Sequence, residues 1–213
     1  MSSEPSPRGH VYVLSAPSGA GKTSLVNRLL SEDAQLRLSV SHTTRPPRSG
    51  EQDGRHYHFV SPQAFRAGVE ADRFLEHANV FGHYYGTTRA EVERYRKAGF
   101  DVLLEIDWQG ASQVRSRLDD CSGIFIVPPS LEALRERLEA RGQDSAETIA
   151  ARMRGARDEL SHFREFDYLV VNDRFEQALS DLQSILRAGR LGCERQQIAE
   201  SELLATFDTA ARN

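Results

Sequence analysis

Five short apolar runs punctuate the chain, at 10–15, 37–41, 100–107, 123–127 and 167–171. Between and after them lie amphipathic stretches at 21–31, 109–118, 130–140, 147–163 and 174–189. An unbroken apolar run of that length fits a strand buried on both faces. Alternation of such runs with helical periodicity predicts a parallel sheet covered by helices on both sides. Two stretches break the rhythm. Residues 41–88 are rich in Gly, Pro, Tyr and His, and 56–60 and 74–80 alternate as strands around one short helix. They predict a small, mostly antiparallel insert. Residues 141–155 are polar and Arg-bearing between two helices and read as a lid. The end, 194–213, patterns as an amphipathic helix that packs back or frays, and 1–8 as a disordered tail. What remains (9–40, 89–140 and 156–190) forms the core of one domain over 9–213.

The first apolar run leads directly into Ala16, Pro17, Ser18, Gly19, Ala20, Gly21, Lys22 and Thr23. A strand, a glycine turn and a helix in that order make a phosphate-binding P-loop. The glycines let the backbone curl until its N–H groups face inward, and the helix adds its unpaired N–H groups and positive dipole end. In such a loop the lysine reaches the β/γ phosphates of a nucleoside triphosphate, and the threonine hydroxyl ligates Mg²⁺. The first glycine of the GxxxxGK[ST] pattern is here Ala16, which fits if its φ stays negative.

Composition sharpens the lysine. Of the 27 basic residues only Lys22 and Lys97 are lysines. At a phosphate loop a compact point charge is wanted rather than a planar fork, and there lysine survives. Net charge is −4 and pI about 6.0, so no general basic surface for nucleic acid is expected. Two cysteines, Cys121 and Cys193, without metal-like spacing suit a reducing, cytoplasmic setting. The chain shows neither a signal peptide nor a membrane-length apolar run, so no membrane partner is expected.

A second set of residues suggests a second substrate. Ser41, Arg45 and Arg48 stand in a proline-stiffened loop, and two arginine forks there could clamp a phosphate. Taken alone, that loop fits a solvated basic surface better. Tyr57 follows, then Glu76 in an otherwise apolar strand, then Tyr85 and Thr87 in a Gly-Tyr-rich segment. Glu105 and Asp107 end a buried strand, where ligand sites of doubly wound sheets lie and where acids are costly unless partnered. Their joint occurrence shifts the balance towards a site.

In order and spacing, the segments 16–23, 41–48, Tyr57, 74–76 (Phe-Leu-Glu), 82–87, 105–110 (Glu-Ile-Asp-Trp-Gln-Gly), 137–142 and 170–173 (Val-Val-Asn-Asp) resemble guanylate kinases, most closely the single-domain bacterial type. The resemblance covers roughly 9–190. It implies the P-loop nucleoside monophosphate kinase fold, with 41–88 as the GMP-binding insert and 141–155 as a helical lid. It also implies transfer of the γ-phosphoryl of ATP to GMP with Mg²⁺, a step of guanine nucleotide synthesis and GMP recycling. By the same resemblance Arg45, Arg48, Tyr57 and Tyr85 would hold the GMP phosphate, and Ser41, Glu76, Thr87 and Asp107 would read the guanine. Arg141 and Arg152 would come from the lid over the transferring group, and Asn172 and Asp173 would complete the adenine pocket.

Chemistry supports this pocket independently. Guanine presents two donors, N1–H and N2–H, beside the O6 acceptor. A carboxylate such as Glu76 accepts from both donors while a hydroxyl such as Ser41 donates to O6. Adenine would leave the carboxylate unpaired, a mismatch that can discriminate by about 10⁴. Guanylate kinase-like scaffold modules, which lose ATP chemistry and bind peptides, lack the intact loop and lid arginines present here. A kinase of the same fold for another acceptor is disfavoured by Ser41, Glu76 and Asp107 together. A metal site at His56 and His58 lacks an apparent third ligand.

Overall fold

The computed structural model describes residues 7–80, 82–140 and 145–210. In chain order the elements are β1 (Val11–Ser15), α1 (Lys22–Glu32), β2 (Leu36–Leu38), β3 (His42–Thr43), β4 (His58–Phe59), α2 (Pro62–Glu70), β5 (Phe74–Val80), β6 (His83–Thr88) and α3 (Arg89–Lys97). There follow β7 (Asp101–Glu105), α4 (Trp108–Arg117), β8 (Cys121–Val127), α5 (Leu131–Glu139), α6 (Ala146–Ser161), β9 (Tyr168–Val171), α7 (Phe175–Arg190), α8 (Cys193–Ala199) and α9 (Ser201–Ala210).

Five strands form a parallel sheet in the order β2-β7-β1-β8-β9. Strand β1 is wholly buried, and its alternate side chains feed two cores. Tyr12 and Leu14 join Leu103 under α1 and α7, with Leu25, Leu29, Leu182 and Leu186. Val11 and Val13 join Val102 and Leu104 under α3 and α4, with Val92 and Val114. A strand apolar on both faces is what a helix-covered parallel sheet demands. The fold is therefore the helix-covered α/β architecture that the alternation predicts.

A second sheet, ordered β4-β3-β6-β5, is built from the insert. Its β3–β6 and β5–β6 pairings are antiparallel and its β3–β4 pairing is parallel. Glu76 pairs with Thr87 across the β5–β6 hairpin, just past a bulge. The bulge re-aims the strand there.

Several boundaries differ from expectation. Helix α3 is absent from the predicted elements: its nine residues are mostly charged, and only Val92 among its apolar side chains is fully buried, so no apolar stripe announces it. Strand β6 was expected only as a Gly-Tyr motif. Run 37–41 yields just β2; Ser39 N–H still donates to the Leu103 carbonyl at 3.1 Å, but by Ser41, whose carbonyl accepts from the His58 N–H at 2.9 Å, the chain has passed to the insert. Run 56–60 yields only β4. Of the proposed lid, residues 145–155 are described: Ser145 caps α6 with its hydroxyl and the rest is helix continuous with 156–161. The expected C-terminal helix breaks at Glu200 into α8 and α9, leaving Leu203 and Phe207 exposed. Of the expected tail, 1–6 lies outside the described residues. Arg8 is described and pairs with Glu93.

The two ends of the parallel sheet do different work. At the amino ends, Asp101 is completely buried and binds the His10 N–H at 2.9 Å, Arg190 Nε at 2.6 Å and Arg195 at 2.7 Å. This network ties β7 to the C-terminal helices. At the carboxyl ends lie Ser15, Glu105 and the residues that follow them, where open α/β sheets place their ligands.

Candidate functional site

After Ser15 the chain curls through Gly19 (φ 95°) and Gly21 (φ 90°) into α1. Both glycines lie in the left-handed region that other residues rarely adopt. Asp72 is the sole non-glycine with positive φ among the described residues, so Ala16 keeps the negative φ its side chain needs. Ala20 N–H donates to the Pro17 carbonyl at 3.0 Å, tightening the loop.

Asn172 braces the loop from behind. It is buried, and its amide donates to the Ala20 carbonyl at 2.7 Å. A Cβ on Gly21 would meet that amide at 2.4 Å. The structure thus sets Asn172 beneath the phosphate loop, while neighbouring Asp173 is exposed.

Lys22 and Thr23 open α1 and face the end of β7. Lys22 Nζ lies 3.8 Å from Glu105, and the Thr23 hydroxyl donates to the same carboxylate oxygen at 3.3 Å. Burial pulls the Lys22 ammonium below its ordinary pKa, while Glu105, Glu159 and Asp107 oppose that shift. Sequence reasoning placed Glu105 among the candidate site residues but gave it no specific partner. Its position at the end of a buried strand was the available signal.

Three contiguous hollows share Lys22 and Tyr57 and make one cleft. The first is walled by the loop, the second by Ser41, Glu76, Tyr85 and Asp107, and the third by Ser39, Ser41, Glu51, Arg55 and Glu105. The structure therefore brings the loop together with Ser41, Tyr57, Glu76, Tyr85 and Asp107, while Arg45, Arg48, Thr87, Arg152, Asn172 and Asp173 line none of the three hollows.

On the insert side, the Ser41 and Thr87 hydroxyls are 3.1 Å apart. Glu76 is 3 % exposed. Burial pushes its carboxyl up to about 7, with Thr87 hydrogen bonds opposing and the Asp107 charge adding to the shift. Asp107 caps α4, accepting from the Gly110 N–H at 2.8 Å. Gly110 leaves room for Glu76: an added Cβ would stand 2.9 Å from Glu76 Oε2 and 3.2 Å from Ile106. Gly110→Ala is accordingly expected to displace the Glu76 carboxylate and raise KM about tenfold for a ligand held by Glu76, with KM for a ligand held by the loop unchanged. Equal changes in both constants would refute that route of action.

Arg45 is held in place by an acid of its own loop. Glu51 grips its guanidinium with both oxygens, at 2.8 and 2.9 Å, and accepts the Arg48 N–H at 2.7 Å. These bonds hold the Glu51 carboxyl down to about 2. The Arg45 guanidinium also lies 5.4 Å from the centroid of the Tyr57 ring, and Tyr57 meets Tyr85 edge-on at 5.9 Å. The Arg48 side chain is exposed. Glu51 was missed in the sequence, where an acid in a Pro-Gly-rich loop looks like ordinary solvated charge.

Of the two lid arginines, Arg152 sits half-buried on α6 and Arg141 lies outside the described residues. Glu159, seven residues after Arg152 on the same helix face, lines the cleft beside Lys22. The described residues hold no cluster of three or more His, Cys, Asp or Glu side chains suited to a metal ion. No described helix is long and apolar enough to cross a membrane.

The family model described as Guanylate kinase matches residues 8–189. The guanylate kinase of Hahella chejuensis is 57% identical over 197 residues, which is 92% of this chain and 95% of that protein. That of Alkalilimnicola ehrlichii is 57% identical over 196 residues, 92% of this chain and 97% of that one. Among solved structures, guanylate kinase from Anaplasma phagocytophilum aligns with a TM-score of 0.74 at 35% identity, covering 94% of this chain and 98% of its own.

Proposed function

Because the chain belongs to the guanylate kinase family, we propose that its cleft holds ATP on the loop 16–23 and GMP on the insert. The activity is transfer of the γ-phosphoryl group of ATP to GMP, giving ADP and GDP. The observation that carries the residue assignment is the single cleft in which Lys22 and Tyr57 border both the phosphate loop and the Ser41, Glu76 and Asp107 wall.

On this reading Glu76 accepts guanine N1–H and N2–H, Ser41 donates to O6, and Thr87 and Asp107 orient them. Arg45, Arg48, Tyr57 and Tyr85 hold the GMP phosphate, with Arg45 preset by Glu51. Lys22 neutralises the β/γ oxygens of ATP, and Asn172 and Asp173 complete the adenine pocket, Asn172 also bracing the loop through the Ala20 carbonyl. Arg141 and Arg152 stabilise charge on the transferring group. Phosphoryl transfer asks the protein for positioning and electrostatics. A phosphate monoester is already largely ionised, so no general base is assigned. Closure of insert and lid keeps water from competing as acceptor.

The donor set suits Mg²⁺: hard oxygens from the Thr23 hydroxyl, with the Glu105 carboxylate beside it. The ion supplies charge neutralisation along the polyphosphate. We assign 41–88 to the GMP-binding insert, 141–155 to the lid and the remainder of 9–213 to the same domain. A cytoplasmic location without nucleic acid or membrane partners agrees with net charge −4 and with Cys121 and Cys193 being free thiols.

The test is ADP formation from ATP with GMP, AMP, UMP or CMP as acceptor. Formation confined to GMP is expected. Equal rates with AMP would refute the role given to Glu76.

A further inference from the structure

Glu159 has no part in the chemistry above, yet it stands inside the cleft. It lines both the hollow walled by the phosphate loop and the one walled by Glu76 and Asp107. It lines the loop-walled hollow together with Ser18 and Lys22, and its Oε2 is buried without a hydrogen-bond partner. A carboxylate beside a phosphate loop's lysine stands among donors that serve a phosphate. Burial raises its pKa, with Lys22 and the Ser18 N–H opposing and Asp107 and Asp158 adding to the rise.

The helix that carries Glu159 is lightly held. Helix α6 buries only Met153 and Ala156, against Leu134 and Leu138 of α5. Few buried apolar contacts mark a segment that moves at low cost. Its C-cap, His162, stacks on Trp108 with ring centroids 3.5 Å apart and planes 8° from parallel. Trp108 follows Asp107 and is the chain's single tryptophan.

We propose that Glu159 is an internal competitor of the ATP polyphosphate: carboxylate and phosphates exclude each other from the corner beside Ser18 and Lys22, so nucleotide binding and repositioning of α6 are one event. This rests on the reading of 16–23 as the ATP phosphate loop. Two anions cannot share that corner without strong repulsion, since like charges at close range in a partly dry cleft cost far more than in water. The exchange makes the lid helix respond to the donor nucleotide itself. Arg152, on the same face of α6, would be repositioned with it.

The test compares wild type with Glu159→Gln and Glu159→Ala by calorimetric titration of ADP and of pyrophosphate, with Trp108 emission recorded in parallel. Both variants are expected to bind either ligand about tenfold more tightly. Trp108 emission of wild type is expected to change on adding ADP, and that of the variants to lie nearer the ADP-bound value from the start. Unchanged or weaker ADP binding in both variants overturns the competition, weaker binding making Glu159 a supporting ligand. Wild-type emission indifferent to ADP overturns the coupling to α6. Wild type that binds neither ADP nor pyrophosphate overturns the phosphate-loop reading and the competition with it.

Discussion

Lys22→Ala is expected to lower kcat about 1,000-fold while leaving GMP affinity within about twofold of wild type. Removal of one preorganised charge from a site of developing charge costs on the order of 10²–10³ in turnover, and a barrier increase near 4 kcal/mol corresponds to the upper end. Lys22 is placed for this at the first residue of α1, its position set by Gly21 in the left-handed conformation and by Asn172 behind the loop. Its ammonium is 3.8 Å from Glu105, and burial presses it towards neutrality. The triphosphate restores a full set of negative partners, so the interaction strengthens as charge builds on the transferring group. Lys22→Arg is expected to remain more than about 100-fold impaired, because a planar fork does not replace a point charge in this confined corner. ADP release at saturating GMP measures kcat, and GMP calorimetry checks that the insert site survives. A kcat within tenfold of wild type for Lys22→Ala would remove the lysine from the reaction.

The loop was legible because its signal is local. Strand, glycines and helix are contiguous, and the conformation depends on residue types at fixed offsets, so Gly19 and Gly21 fall where the spacing puts them. The central strands were legible for the same reason, since β1, β7 and β8 carry runs of apolar residues that a doubly covered sheet buries, interrupted at buried positions only by Ser15 and Asp101 at strand ends and by Gly123. Glu51 and Glu159 had no such signal, and Glu105 had only its place at a strand end. Each acquires meaning only from a partner distant in space or set by loop geometry: the Arg45 fork, the Lys22–Thr23 pair, the Ser18 amide. Helix α3 escaped because tertiary contact, not an apolar stripe, holds it, with Arg96 buried against the Gly9 carbonyl at 2.8 Å and Asp120 at 2.7 Å. Asn172 was found, but as part of a nucleotide pocket; its burial under the loop came only from seeing α1, β9 and the loop together.

Glu76→Gln is expected to move stability and binding in opposite directions. In the folded protein burial holds the Glu76 carboxyl near 7, above its ordinary 4.5. A raised pKa means that the folded state binds the proton more tightly than the unfolded chain. The charged form therefore opposes folding, by nothing below pH 4.5 and by an amount that grows as pH rises to 7. At pH 8 the cost is on the order of 3 kcal/mol. Glutamine carries no charge and is nearly the same shape, so the variant should be more stable than wild type by about 1–3 kcal/mol at pH 8 and equal to it at pH 4.5. Urea denaturation at both values without nucleotide measures this. Binding should go the other way. One amide oxygen replaces two carboxylate acceptors, and the amide NH₂ confronts a guanine donor. A lost charged hydrogen bond with an opposed donor is expected to raise KM for GMP by about 100-fold or more. Wild-type guanosine affinity should fall as pH drops from 8 to 6, because Glu76 takes up a proton and loses an acceptor; guanosine lacks the phosphate whose own titration would obscure this. In Glu76→Gln that fall should vanish. A variant that binds GMP normally, or whose guanosine binding keeps the wild-type pH dependence, would show that another group reads the base. A variant less stable than wild type at pH 8 would show that the buried carboxylate is compensated in the folded state. The charge proposed to make this pocket specific would then carry no cost to the fold.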